Sequence, residues 1–295
     1  MTSQIVLFAS EVSVICELNP YRNIHDTFMD VWKRTAPNQI LMVEKEINHE
    51  MKSKEQSVMK LIKKIDVEGK ISDLIKSAST AKSIHEVEKS VKAIPNIIPQ
   101  VESIKDDDIK ELITTLGSTN IETEIIKSVE SQMNRGFGTN QESVAISRYE
   151  DKYKASINQR NDKFHKRVVA EADEYSVIVG GKVDGVKEDG TVVEVKNRMR
   201  RFFDPLPKYD IAQLQTYIFI LKASQGELVE QLRGATKSIK RTIIKGDSDM
   251  WENIIKPKIV KFCEILYGFM KDKDLQRKFI LGNEHERKCL INELY

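Results

Sequence analysis

Two patterns of apolar positions divide the chain. In Val43–Ile65, Ile71–Lys76, Ile84–Ile94 and Ile121–Met133 the apolar residues recur three or four apart, which predicts amphipathic helices. Gly69, Pro95, Pro99 and Gly117 break that run. Later in the chain the pattern is that of strands. Ser176–Val179 with Lys182–Val183 reads as one, and Thr191–Lys196 as the next. Lys187-Glu188-Asp189-Gly190 joins them, and Asp-Gly is a strong hairpin signal. Tyr209–Leu221 predicts a helix and Ser238–Ile244 another strand. Asp247 or Ser248 is suited to cap a long helix that runs to about Lys271 and bends at Pro257. No internal repeat is visible. The order helix, strands, helix, strand, helix predicts an α/β or α+β core.

Aromatic residues sharpen the division. No Phe, Trp or Tyr occurs between Trp32 and Phe137, a stretch rich in Lys, Glu, Ile and Ser. The expected organisation is therefore a core formed by 1–43 and 136–295, interrupted by a helical insertion at 44–135.

Composition adds exclusions. The chain has 295 residues, 40% hydrophobic and 31% charged, a balance that rules out collagen-like, wholly disordered and integral membrane classes. No apolar run approaches the roughly 20 residues needed to cross a bilayer. The N-terminal stretch lacks a basic region and carries Glu11, unlike a signal peptide. Cys16, Cys263 and Cys289 are too scattered for a disulfide framework or a zinc cluster and read as reduced thiols of an intracellular protein. A net charge of +2 leaves any basic surface to be local.

The chemistry concentrates in Gly180-Gly181-Lys182-Val183-Asp184-Gly185 and Thr191-Val192-Val193-Glu194-Val195-Lys196. On a strand, alternate side chains share a face, so Glu194 and Lys196 project together while Val193 and Val195 point to the core. Charges among valines are costly unless they serve each other or a metal. Two converging carboxylates, Asp184 and Glu194, suit Mg²⁺, with Mn²⁺ as an alternative. A lysine two residues on can orient a water or balance charge on a phosphate. Glu-x-Lys also occurs at Glu50, Glu68, Glu150 and Glu286, so the hairpin context carries the signal. A salt-bridge ladder across a hairpin is the competing reading. On the following helix Gln213 and Tyr217 share a face, suited to touch DNA phosphate or steady the lysine. Between them, Asn197-Arg198-Met199-Arg200-Arg201-Phe202-Phe203 places Arg198, Arg200 and Arg201 where a phosphate backbone would pass.

Asp184, Glu194-Val195-Lys196 and the Gln213…Tyr217 helix together resemble the PD-(D/E)xK nuclease superfamily. The narrower resemblance is to its lambda exonuclease and YqaJ-type viral recombinase branch. Phe8-Ala9-Ser10-Glu11-Val12-Ser13 with Leu18-Asn19-Pro20-Tyr21 is similar to that family's opening. Gly138-Thr139-Asn140-Gln141-Glu142 resembles its Gly-x-x-x-Glu helix. Val183 stands where the motif has Pro, and residues 1–9 lack the arginine that lambda-type enzymes place before the Ser-Glu turn.

The resemblance implies a restriction-endonuclease-like mixed sheet flanked by helices. It implies a metal held by Asp184, Glu194, Glu142 and the Val195 carbonyl, with Lys196 positioning the attacking water. It implies an exonuclease acting on duplex ends in recombination, repair or replication. DNA is then the main partner, with a strand-annealing or recombination protein and ring-forming copies of the chain as further ones. The compartment implied is the cytoplasm or a viral or phage replication compartment. Ser10, at its helix start, is the further candidate for a terminal phosphate. A structure-specific or restriction-type endonuclease would use the same groups, and a non-catalytic DNA-binding protein would have no use for the acidic cluster.

Overall fold

The structure is a computed structural model that describes residues 3–98, 120–160, 162–198, 201–232 and 238–295. Strand β1 (Ser3–Phe8) leads directly into α1 (Ala9–Ile15), and α2 (Ile24–Thr35) and α3 (Pro37–Ile47) follow. Next come α4 (Lys54–Ile65), α5 (Lys70–Ser79) and α6 (Ile84–Ala93), then α7 (Ile121–Tyr153). Strands β2 (Ile157–Gln159), β3 (Phe164–Glu171), β4 (Tyr175–Lys182), β5 (Gly185–Lys187) and β6 (Val192–Arg198) precede α8 (Lys208–Leu221). Strands β7 (Gln225–Leu232) and β8 (Ile239–Lys245) then lead to α9 (Lys256–Lys271), α10 (Lys273–Leu281) and α11 (Glu284–Leu294).

The strands form two mixed sheets flanked by helices. The first has order β1-β4-β3, with β1 parallel and β3 antiparallel to β4. The second has order β2-β5-β6-β7-β8, and within it β6 and β7 are parallel. The Asp-Gly turn forms as the sequence predicts: Gly190 takes φ of 80°, and Asp189 accepts the Thr191 N–H at 2.9 Å. Its incoming strand is β5, however. Residues 176–182 pair with β1 and β3 in the other sheet, because the chain changes sheets at Val183 and Asp184.

The predicted helix over 43–65 is two helices. Asn48 adopts a left-handed conformation (φ 50°) that ends α3, and Ser53 caps α4 by accepting the Gln56 N–H at 3.1 Å. The helix predicted at 121–133 instead runs through Gly136 and Gly138 to Tyr153, a length of 33 residues. Asp247 accepts the Met250 N–H as predicted, and a π-helical turn at Trp251–Ile255 precedes Pro257. Pro95 lies in a 3₁₀ turn, whereas Pro99 and Gly117 fall outside the described residues.

Among the described residues, three cores hold these elements. The largest lies between the first sheet and α1, α2, α8 and α9, and gathers Phe28, Trp32, Phe262, Phe269 and Phe279. Trp32 and Phe269 meet edge-to-face with centroids 4.8 Å apart. The aliphatic second core joins α4, α5 and α6 to the first half of α7, from Val58 through to Phe137. The third packs Ala145, Ile146 and Tyr149, in the second half of α7, on Val193, Val195 and Val229 of the second sheet. A border at 135 therefore falls inside an unbroken helix, and Ile40 and Val43 of α3 belong to the first core. Among the described residues, no helix is long and apolar enough to cross a membrane.

Candidate active site

Asp184 sits where the chain leaves β4 for β5. One of its oxygens accepts the Val195 N–H at 2.7 Å, which locks the bend against β6. On β6 the side chains alternate as the valine pattern requires. Val193 and Val195 are buried toward α7, and Glu194 and Lys196 point to the α8 side. Glu194 is only 4% exposed. Its Oε1 accepts Lys196 Nζ and Gln213 Nε2, each at 2.9 Å, and Lys196 Nζ also donates to Gln213 Oε1 at 2.8 Å. Its other oxygen, Oε2, is buried with no hydrogen-bond partner. A buried carboxylate oxygen left in this way is costly, and marks where a cation or a donor would be welcome.

The electrostatics follow from that crowding. Burial pushes the Asp184 carboxyl up to about 6, with Glu142 adding to the rise and the Val195 N–H opposing it. Burial and the neighbouring Asp184 push Glu194 up to about 8, against the pull of Lys196. Burial alone would lower the Lys196 amine, but Glu194 and Asp210 hold it above its ordinary value, so it remains an ammonium. Glu142, half-buried on α7, is raised by burial and by Glu194. Its helix is pinned nearby: Asn197 donates to the Gly138 carbonyl at 2.8 Å, and Arg148 donates to Gln231 at 3.1 Å.

Among the described residues no group of three or more His, Cys, Asp or Glu side chains forms a ready ligand set. What is assembled is a repelling carboxylate pair with Glu142 within electrostatic reach. Hard oxygen donors and the orphaned Glu194 Oε2 fit a small divalent cation that keeps waters for its remaining positions. Val195 gives its N–H to Asp184, and its side chain fills the core on the other face.

The other predicted contacts divide. Gln213 steadies the lysine. Tyr217 faces inward and donates to the Lys182 carbonyl at 2.8 Å, and its ring lies so close to Gly181 that a Cβ there would meet it at 2.9 Å. Arg198 departs from the expectation of a phosphate contact. Its guanidinium is buried, donating to Glu230 at 2.8 Å and Asp210 at 2.6 Å, because β6 and β7 run parallel and place Arg198 beside a buried acid. Arg201 is exposed beside Phe203, and Arg200 lies outside the described residues. Ser10 is exposed in the first turn of α1, but the cap is Phe8, whose N–H is accepted by Glu11 at 2.8 Å. An arginine does reach this turn, from α2: Arg34 pairs with Glu11 at 2.7 Å and lies over the Phe8 ring.

Asp210 and Glu230 were not singled out in the sequence. Asp210 stands three residues before Gln213, on the face that Gln213 and Tyr217 share, so that spacing held a signal. Glu230, within a strand-like Leu-Val-Glu-Gln, repeats the embedding of Glu194 among apolar residues.

No family model and no curated protein matches this sequence. Similar solved structures include an alkaline exonuclease, LHK-Exo from Laribacter hongkongensis, at 17% identity and a TM-score of 0.37, over 47% of this chain and 70% of that one. The same enzyme in complex with dAMP is similar at 12% identity and a TM-score of 0.38, over 67% and 87%. A third, the structure of SSO0001, is similar at 19% identity and a TM-score of 0.35, over 50% and 67%.

Proposed function

We propose that the chain is a divalent-metal-dependent nuclease that hydrolyses phosphodiesters of duplex DNA, working from strand ends as an exonuclease in recombination, repair or replication. The observation that supports this reading is the meeting of Asp184, Glu194 and Lys196 at one buried point, with Glu194 Oε2 left without a donor. A salt-bridge ladder on a hairpin surface would not bury its acids or leave one unsatisfied.

Mg²⁺, or Mn²⁺ in its place, would be held by Asp184, Glu194, Glu142 and the Val195 carbonyl. When bound, it supplies Lewis-acid stabilisation of charge on the phosphate. The remaining work belongs to the protein's own groups. Lys196, kept protonated by Glu194 and Asp210, orients the attacking water and offsets the charge that gathers on phosphorus oxygens. Gln213 fixes the amine in place. Arg201, exposed past the end of β6, contacts a neighbouring phosphate.

The deciding experiment incubates purified protein with end-labelled linear duplex and with closed circular duplex, with and without Mg²⁺. The expected result is metal-dependent release of nucleotides from the linear substrate alone. Equal cutting of the closed circle would replace the exonuclease reading with an endonuclease one. Absence of metal-dependent cleavage of either substrate would end the nuclease reading.

A further inference from the structure

The outer face of the first sheet is exposed where β3 begins and β4 ends. Strand pairing puts Phe164 opposite Lys182 and Lys166 opposite Gly180, so Phe164, Lys166, Gly180 and Lys182 share one face. Parallel pairing of β1 adds Phe8, which lies beside Gly180. Two residues beyond Lys182 the chain reaches Asp184.

On this face Phe164 is 42% exposed, although the opposite face of the same sheet is closed into the first core. Its position is fixed. The ring lies against Gly180, where an added Cβ would come within 2.7 Å of two ring carbons. Phe8 braces it edge-to-face with centroids 5.9 Å apart. Phe8 is itself held by Arg34, whose charge is taken up by Glu11. Lys166 and Lys182, on the same face as the ring, are exposed, and no carboxylate of the described residues pairs with them. A rigid, half-exposed aromatic ring flanked by two free ammonium groups is suited to a ligand with a flat apolar face and a negative backbone. Unpaired nucleotides have both.

We propose that Phe164 is a stacking platform for an unpaired base of a DNA strand, with Lys166 and Lys182 holding the flanking phosphates. The proposal rests on the nuclease reading only for its substrate: the strand held here is the one presented to Asp184 and Glu194.

The test measures binding without cleavage. Full-length protein in chelator is titrated against a labelled thymidine oligonucleotide of about twelve residues, and against an abasic oligonucleotide of equal charge, by fluorescence anisotropy. Phe164→Leu keeps an apolar side chain and removes the ring. It should weaken thymidine binding by about 5- to 150-fold and leave abasic binding nearly unchanged. Phe164→Trp should retain affinity, with indole fluorescence quenched on adding the thymidine strand. Lys166→Ala and Lys182→Ala should each reduce the salt slope by about 0.7.

Unchanged thymidine binding by Phe164→Leu, or equal losses on both oligonucleotides, would overturn the proposal. So would failure of the unaltered protein to bind the thymidine strand, which would assign this face to another partner. Since no metal is present, platform and nuclease readings fail separately. Base-dependent binding without any Mg²⁺-dependent cleavage would keep the first and remove the second.

Discussion

A single amide holds both charged ends of the acidic cluster: the Gln213 side chain accepts from Lys196 at 2.8 Å and donates to Glu194 at 2.9 Å. Gln213 thus defines where the ammonium points. Replacing it with Leu should leave the fold intact, since the residue is only half-buried, but free the lysine to relax onto Asp210, 3.6 Å away. Losing a hydrogen bond to a charged group corresponds to about 1.5–3 kcal/mol, or roughly ten- to hundredfold in the cleavage rate. Lys196→Ala should cost more. Single-turnover rates of the two variants check this, and a Lys196→Ala protein cutting near the normal rate would remove the lysine from the chemistry.

The arginines past β6 should separate cleanly by variant. Arg198 joins Asp210 and Glu230 in a buried network, so Arg198→Ala strips the buried Glu230 of this cation, leaves Asp210 to Lys196 at 3.6 Å, and should destabilise by about 3–5 kcal/mol. Arg201→Ala removes an exposed side chain and should leave the melting temperature within about 1 °C of the parent while weakening DNA binding in a salt-dependent way. Differential scanning calorimetry alongside a binding titration distinguishes the two. Equal stability of both variants would contradict the buried role of Arg198.

The carboxylate pair should reveal itself through metal and through stability. Asp184→Asn and Glu194→Gln should each abolish the heat of Mn²⁺ binding in isothermal titration. In chelator, Asp184→Asn should also melt higher than the parent, because it removes a carboxylate whose charged form burial disfavours while its amide oxygen can still accept the Val195 N–H. Full Mn²⁺ binding by either variant would dismiss the pair as the metal site.

A pH-dependent effect is expected far from the site. His25 is buried between Asp26 and Glu284, 3.8 and 4.0 Å away, with neither ring nitrogen hydrogen-bonded. Burial lowers its pKa, against the pull of the two acids. The folded state therefore takes up the proton less readily than the unfolded chain, whose histidine titrates near 6.5. Stability is complete above that pH and declines as pH falls below it. Denaturant unfolding at pH 7.5 and 5.5, with His25→Asn as reference, measures the difference. A parent protein that loses no more stability than the variant would refute it.

The sequence made the acidic hairpin legible because the signal is local. Asp-Gly specifies the turn, and strand alternation alone puts Glu194 and Lys196 together. The gaps arise where tertiary context decides. Residues 176–182 look like the partner of 191–196, yet pair with a strand from the N-terminus, and nothing local encodes that choice. Arg198, Arg200 and Arg201 look alike as a basic run, but Arg198 is turned inward by Glu230, which lies on a strand 32 residues later. The helical spacing is legible only over 121–133, yet α7 continues through Gly136 and Gly138 to Tyr153. At Gly136 the missing side chain lets α7 come so close to Ser79 that a Cβ would collide with it.

Helix α7 has a consequence for how the molecule can be altered. Its 33 residues reach about 50 Å. Its first half completes the aliphatic core of α4–α6, and its second carries Glu142 and packs on β6. The aliphatic bundle is therefore not an ornament that could be trimmed away or grafted elsewhere: every cut between 121 and 153 severs a rod. Each residue added or removed upstream of Glu142 within that rod would turn the two halves by about 100° relative to each other. Changes of length therefore fit better in the turns between α4, α5 and α6, whereas within the rod they are confined to multiples that keep Glu142 within reach of Asp184 and Glu194.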